Sequence, residues 1–542
     1  MPALSAITAD PHPWSGLLAR DDVILDRGML HLIHDTLTPH QARVEDLLMV
    51  ASALEDAGVA VTLIRTDRSA PALVADLAAR DVVRDALAQL CAKHPLYIKA
   101  KRRDPQLACD LPALAAEPAA LKIFRPRITA GGTVRYGARQ GVRLEFWRFG
   151  EEIVEAPADN VLTRRLTPRS DLQPATIERY GRSWQTVAGM FDPLPHEFTD
   201  DVDLVFSWVD GSSREFQRQR AARMAGYVVG EGDDGAVRYR HVDELRYALR
   251  SAHMYAPWVR RIFIATDSPA PAWLRVHPKV TVVRSEEFFA DASVLPTHNS
   301  HAVEAQLHRI PGLAEHFLYA NDDMFFGRPV EPELFFTAAG VTKFVESEVR
   351  IGPGAPRPER SGHDNALRVN RALLQHRFGR AIVRDLEHCA TPLRRSIMAE
   401  LEQEFPEEFA RTAASRFRSA TDISVTNSLY HYYALMTGRA VATRRPRTRY
   451  IHTTLAASLR RMERMVEQHN LDMFCLNDGA ETEVPEQVRA AVVTATLERL
   501  FPIRPPWERA QVGARPLAAV GGAALSEPAS AALSEEPESI VS

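Results

Sequence analysis

The chain has 542 residues, 45% of them hydrophobic and 25% charged, with a formal net charge of −4. That is ordinary globular composition, with length for roughly two to four domains and a sizeable core. The near-even charge balance gives no global electrostatic reason to bind nucleic acid or an anionic membrane, so any phosphate binding has to come from local clusters.

The first ten residues lack a basic segment followed by an apolar core, and no window approaches the roughly 18 apolar residues of a membrane span. A cytoplasmic location is expected. Cys91, Cys109, Cys389 and Cys475 are widely spaced and contain no Cys-x-x-Cys pair, which fits reduced structural thiols better than a zinc ribbon or a disulfide scaffold.

In chain order, residues 1–195 read as an N-terminal α+β domain whose role is not legible. A helix is predicted over Pro39–Ala57, a strand over Val59–Arg65 and a second helix over Pro71–Lys93. Short strands follow at Tyr97–Ala100, Leu121–Phe124, Thr133–Tyr136 and Val142–Phe149, punctuated by glycines. Lys99, Lys101, Arg102 and Arg103 could meet a polyanion, or simply form a solvated face. Residues 201–345 read as a Rossmann-like half of nucleotide-binding type. Residues 346–505 read as a mostly helical half that completes the active site, with helices at Pro392–Glu404, Ser424–Thr437 and Pro485–Leu500. The Pro-rich stretch Arg350–Arg360 suggests a mobile loop between the halves. Residues 510–542, rich in Ala, Ser, Pro and Glu, are expected to be disordered.

Three apolar β-type runs in the middle of the chain end in acidic residues. Asp203–Val209 runs into Asp210-Gly211, Arg261–Thr266 into Asp267, and Phe317–Ala320 into Asn321-Asp322-Asp323. In an open α/β sheet, ligands bind outside the carboxyl ends of the strands. Paired carboxylates there suit Mg²⁺ or Mn²⁺ carrying a substrate diphosphate. Taken singly, Asn-Asp-Asp also reads as a turn; three such ends together favour a shared site. Arg246 and Arg250, four apart on one helix face, could hold a diphosphate or pair within their own helix. In Leu295-Pro296-Thr297-His298-Asn299-Ser300, Asn299 or Ser300 could cap a helix whose N-terminus suits phosphate, although any capped helix looks alike.

These blocks occur in one order: Trp208-Val209-Asp210-Gly211, Asp243–Ser251, Ala256–Asp267, Leu295–Ser300, Tyr319–Met324, His363–Asn370, His388, Phe417–Asp422 and Cys475-Leu476-Asn477-Asp478. In that order the chain, over about 201–478, resembles the Stealth proteins. That family groups bacterial capsule and exopolysaccharide phosphotransferases with the animal enzyme that places N-acetylglucosamine-1-phosphate on lysosomal glycoproteins. One departure is Cys389-Ala390-Thr391-Pro392, where the family usually follows its His with an Ala-Pro-x-Pro type sequence.

The resemblance implies a glycosyltransferase-A-type core that moves hexose-1-phosphate from a UDP-hexose or UDP-N-acetylhexosamine to a hydroxyl of a glycan acceptor. UMP would be released and a phosphodiester-linked capsular or exopolysaccharide formed. It implies a divalent cation, Mg²⁺ or Mn²⁺, on Asp322 and Asp323, with Asn477 and Asp478 approaching the same ion. Trp208, Asp210, Gly211, Asn321 and Asn365 would line the nucleotide-sugar site, and Asp267 would complete the metal shell or hold the sugar. Arg418 would neutralise the transferring phosphoryl group through its planar fork. His388 is the first candidate for the base; Asp422 is the other, with His388 then on a phosphate oxygen. Capsule assembly would also imply a peripheral place at the inner face of the membrane. A conventional metal-dependent glycosyltransferase releasing UDP and a non-catalytic polysaccharide-binding scaffold are the competing readings.

Overall fold

Strands buried on both faces need near-continuous apolar runs, and the centre of this chain supplies them. Ile262–Ala265 is buried at every position and Val202–Ser207 at all but its last. They belong to a five-stranded sheet ordered Val280–Val283, Ile262–Ala265, Val202–Ser207, His316–Asn321, Thr391–Arg394. The first four strands are parallel and the last is antiparallel. The chain steps outward from Val202–Ser207 and then crosses back to lay His316–Asn321 on its other side. The order therefore reverses between those two strands, the point where such sheets bind ligands.

The computed structural model describes residues 15–66, 70–111, 117–211, 213, 218, 243–478 and 482–509. The expected disordered tail at 510–542, and residues 239–242 of the run containing Arg246 and Arg250, lie outside the described residues.

The N-terminal region is α+β. Helices Pro39–Asp56 and Arg80–Cys91 pack on an extended mixed sheet that includes Thr62–Arg65, Pro71–Asp76, Val142–Phe149, Ala119–Phe124 and Tyr97–Ala100. Thr38 caps the first helix, its side chain accepting from the Gln41 N–H while the Gln41 side chain accepts from the Thr38 N–H, the reciprocal capping box. The expected helix from Pro71 is corrected: Pro71–Asp76 is a strand, and helix starts only at Arg80 after a short 3-10 turn. Ala42, Val134 and Tyr136 share one apolar core with Leu204, Leu249 and Leu497, so the N-terminal region and the central sheet are packed together.

The second half carries helices Gly362–Phe378, Arg395–Glu404, Pro406–Ala414, Tyr430–Met436, Ala456–Gln468 and Glu486–Leu500. The helix expected from Pro392 begins at Arg395. Residues Thr391–Arg394 pair with His316–Tyr319 as the antiparallel edge of the central sheet, where Pro is tolerated. The 350–360 loop is tied down. Asn365 Nδ2 donates to the carbonyls of Arg357 and Arg360, and Arg371 donates to those of Ile351 and Gly352.

Arg246 and Arg250 lie on helix Glu244–Tyr255. Both guanidinium groups are buried and bound by Glu508, at 2.7 Å from Arg246 Nε and 2.6 Å from Arg250 Nη2. Arg250 Nη1 also donates to Glu498 and to the Phe501 carbonyl. The expected diphosphate role is therefore corrected: these arginines clamp the C-terminal segment onto the sheet-packing helix. Replacing Glu508 by Gln leaves two enclosed cations without their shared carboxylate, and we expect a loss of about 3–5 kcal/mol of stability. A denaturant midpoint unchanged from wild type would contradict the clamp.

Candidate active site

Ser207 and Asn321, the carboxyl-terminal residues of the two central strands, are register partners. The Tyr319 hydroxyl joins them, lying 2.7 Å from Ser207 Oγ, 2.9 Å from Asn321 Oδ1 and 3.2 Å from Glu304 Oε1. Glu304 is buried and its other oxygen accepts from Thr426 at 2.7 Å. This network fixes the Asn321 side chain, whose Nδ2 lies 3.4 Å from His388 Nε2.

After Asn321 the chain turns through Asp322 and Asp323 into Met324–Phe326, which pairs antiparallel with Met473–Asn477. Met324 faces Cys475, and the Leu476 N–H donates to the Asp323 carbonyl at 3.0 Å. Residues far apart in sequence thus meet: one ligand atom each from Asp323, His388 and Cys475 lies within 4.8 Å of the others. Asp323 Oδ1 is enclosed and, among the described residues, has no hydrogen-bond partner. Burial, reinforced by Glu244 and Asp478, pushes the Asp323 carboxyl up to about 7 against the opposing Cys475 hydrogen bond. Burial and the neighbouring Asp323 likewise hold the Cys475 thiol well above its ordinary value, so it stays protonated. The His388 imidazole is driven down to about 4, chiefly by burial, with His363 and Arg418 adding and Asp385 opposing. It is uncharged at neutral pH.

Asp478 follows the same strand, accepts from Thr453 Oγ1 and lies 3.7 Å from the buried Arg489 Nη1. Asn477 is the register partner of His452, and its carbonyl accepts from the Thr453 N–H. Arg418 Nη2 donates to Ser300 Oγ at 2.9 Å. Its stem lies against Gly362, where an added Cβ would come 2.6 Å from Arg418 Cβ, so glycine is required for this approach. His363 and Asp385, which both act on the His388 charge, are paired, with His363 Nε2 2.8 Å from Asp385 Oδ2.

The remaining candidates make the following contacts. Asp422 Oδ2 accepts from Asn299 Nδ2 at 2.8 Å and from the Ser419 N–H at 2.9 Å, and Asp422 is fully buried. Through that oxygen it holds two loops together, while its Oδ1 is enclosed and, among the described residues, has no hydrogen-bond partner. Asn299, 1% exposed, caps helix Ser300–Glu304, and its amide also reaches the Ser415 and Phe417 carbonyls. Asn365, also 1% exposed, spends its amide on the 350–360 loop. Neither is presented to a ligand, correcting both as substrate-binding residues. Trp208 is part of the main apolar core. Asp210 is held through its N–H to Ser268 Oγ, the Gly211 N–H donates to the Val209 carbonyl, and Asp267 Oδ1 accepts from the Ser285 N–H.

Cys475, Tyr319, Glu304 and the His363–Asp385 pair escaped the sequence reading as site residues. Cys475, Tyr319 and His363 do lie within the quoted blocks; the buried carboxylate of Glu304 carried no sequence signal.

Four conserved-region families of the Stealth proteins match this chain: region 1 over 200–228, region 2 over 238–344, region 3 over 387–435 and region 4 over 464–515. The exopolysaccharide phosphotransferase CpsY of Mycobacterium leprae is 51% identical over 491 residues, covering 90% of each chain. The exopolysaccharide phosphotransferase of Nocardia farcinica is 49% identical over 88% of this chain and 90% of its own. SCO6023 of Streptomyces coelicolor, with the same description, is 37% identical over 89% and 85%. Among solved structures, the galactosyltransferase LgtC in complex with donor and acceptor sugar analogues covers 55% of this chain and 95% of its own at 13% identity. Its TM-score is 0.29, too low to carry an argument.

The raised Asp323 carboxyl has a sign that can be checked. Its folded value lies above the ordinary 3.8, so ionising it costs folding free energy as pH rises from near 4 through about 7. In the presence of a chelator, we expect Asp323→Asn to remove this decline and to melt above wild type on the alkaline side. Parallel melting curves for the two proteins would contradict the raised Asp323 carboxyl.

Proposed function

Because the chain belongs to the Stealth family and is a sugar-phosphate transferase of the exopolysaccharide class, we propose that it moves hexose-1-phosphate from a UDP-hexose to a glycan hydroxyl. We read the parallel sheet with its acidic turn after the fourth strand as a glycosyltransferase-A-type core. The observation that carries the reading is the enclosed Asp323 carboxylate at the strand-order reversal, with Asp322 beside it and Asp478 adding to its field.

That site fits a hard divalent cation. Ligand atoms of Asp323, His388 and Cys475 converge there, and the carboxylate oxygens of Asp323 and the adjoining Asp322 are the hard donors that suit Mg²⁺ or Mn²⁺. Asp322 and Asp323 would hold the ion, with Asn477 and Asp478 approaching from the adjoining strand. When bound, it would neutralise diphosphate charge.

The acceptor oxygen attacks the sugar-side phosphorus, a new O–P bond forms, and the P–O bond to the leaving UMP breaks. Such a transfer depends on positioning and on charge stabilisation. Arg418, steered by Ser300 and Gly362, offers its planar fork to the phosphoryl oxygens. His388, uncharged and fixed beside Asn321, takes the acceptor proton.

Chromatography of nucleotides after incubation with a UDP-hexose and Mg²⁺ tests this. We expect UMP as the nucleotide product and its loss on adding a chelator; UDP as the product would overturn the proposal. Arg418→Lys is expected to lower turnover about a hundredfold or more, with donor KM changed much less; near-normal turnover would remove Arg418 from this role.

A further inference from the structure

We propose that the strand Tyr450–His452 and the arginine run entering it form the acceptor track, and that the acceptor it takes is a phosphodiester-linked glycan chain. The inference rests on the reaction proposed above, because such an enzyme adds a negative charge with each unit it transfers.

Three observations converge on this surface. Among the described residues, Tyr450–His452 pairs with Met473–Asn477 alone, as the outer strand of a three-stranded sheet. Tyr450 and His452, two residues apart, share one face of it, and their rings make a row that starts at the active site. Tyr450 is 5.7 Å from the His388 ring at a steep angle, and His452 is 4.9 Å from Tyr450. Tyr450 is 37% exposed and His452 is exposed as well. Such rings give an apolar face to sugar C–H groups while keeping a polar edge.

The second observation is charge. Arg444, Arg445, Arg447 and Arg449 are all exposed and, among the described residues, none of their guanidinium groups makes a hydrogen bond or ion pair. Nearby arginines are otherwise committed: Arg439 to Glu400, Arg394 to Glu315 and Arg328 to Asp472.

The third is anchorage. The Arg447 N–H donates to Asp472 Oδ2 at 2.8 Å, and Thr448 Oγ1 lies 3.3 Å from Glu387 Oε2, beside His388. A merely solvated charge run needs no fixed backbone. Here the main chain is pinned to Asp472 and Cys475, and the Thr448 side chain to Glu387, while the cations face water. That is the arrangement a chain with phosphates at regular intervals can exploit, each neutralised phosphate releasing counterions.

The test is fluorescence anisotropy with two labelled probes of equal length: a hexose oligomer joined by phosphodiesters, and a neutral oligomer joined by glycosidic bonds. We expect the charged oligomer to bind wild type about tenfold or more tightly at low salt, with the preference falling as salt rises. Arg447→Gln with Arg449→Gln should abolish the preference and leave neutral binding within about twofold; Tyr450→Ala should weaken both probes. Equal binding of the two probes would overturn the track, as would an unchanged double variant. Displacement of the charged oligomer by UDP would overturn it too, assigning the row to the nucleotide. So would binding to phosphatidylglycerol vesicles that the double variant loses without any effect on the oligomer. UMP release by wild type with no charged-probe preference would sink this inference alone, whereas UDP release with the preference intact would sink the reaction and leave the surface standing.

Discussion

The parallel pairing of Val202–Ser207 with His316–Asn321 is the constraint on which everything else rests. Two strands from opposite ends of a crossover must finish level with each other, and they do so at Ser207 and Asn321. Without that register, the Tyr319 hydroxyl could not join both strand ends to Glu304, and Asn321 would not stand beside His388. The antiparallel strand Thr391–Arg394 adds to the same edge, which delivers His388 from the second half of the chain. Packing alone sets where the sheet ends; the polar residues at those ends decide what happens there.

Around that point, buried polar groups divide into those that are spent and those that are not. Arg246 and Arg250 are neutralised by Glu508, and Asp422 is satisfied on one oxygen by Asn299 and Ser419. Such groups set shape, since breaking one side of a buried pair costs far more than the pair contributes. Asp323, whose Oδ1 like that of Asp422 is unmatched among the described residues, is set apart by its neighbours, a thiol held protonated and an imidazole held neutral. Perturbed groups gathered in one place are characteristic of functional sites. Here they leave a hard negative group on one side, and a neutral base with a fixed guanidinium on the other.

The sequence made the strand ends legible, because apolar runs stopping at Asp or Asn follow from burial and from the carboxyl-end rule. It misled where spacing is blind to long-range partners. Arg246 and Arg250 do share a helix face, but what that face meets is Glu508, more than 250 residues away. Asn299 and Asn365 look like ligand residues, since Asn is chemically versatile, yet each is consumed in holding a loop. Pro392 suggested a helix start and instead lies within an edge-strand pairing that the neighbouring strand reveals. Ordered motif blocks are what singled out Asp322, Asp323, His388 and Arg418 as candidates. The meeting of Asp323 with Cys475 comes from a strand pairing between distant segments and carries no local periodicity.

The central claim is that the bond broken lies between phosphorus and oxygen on the nucleotide side, leaving the bond from sugar carbon to oxygen intact. Labelling the oxygen between the hexose anomeric carbon and phosphorus with ¹⁸O follows that bond directly. The account predicts that phosphorus NMR of the product phosphodiester carries the isotope shift and that the released nucleotide carries no label. Label recovered in UDP would show that the sugar left its oxygen behind, and would contradict the account.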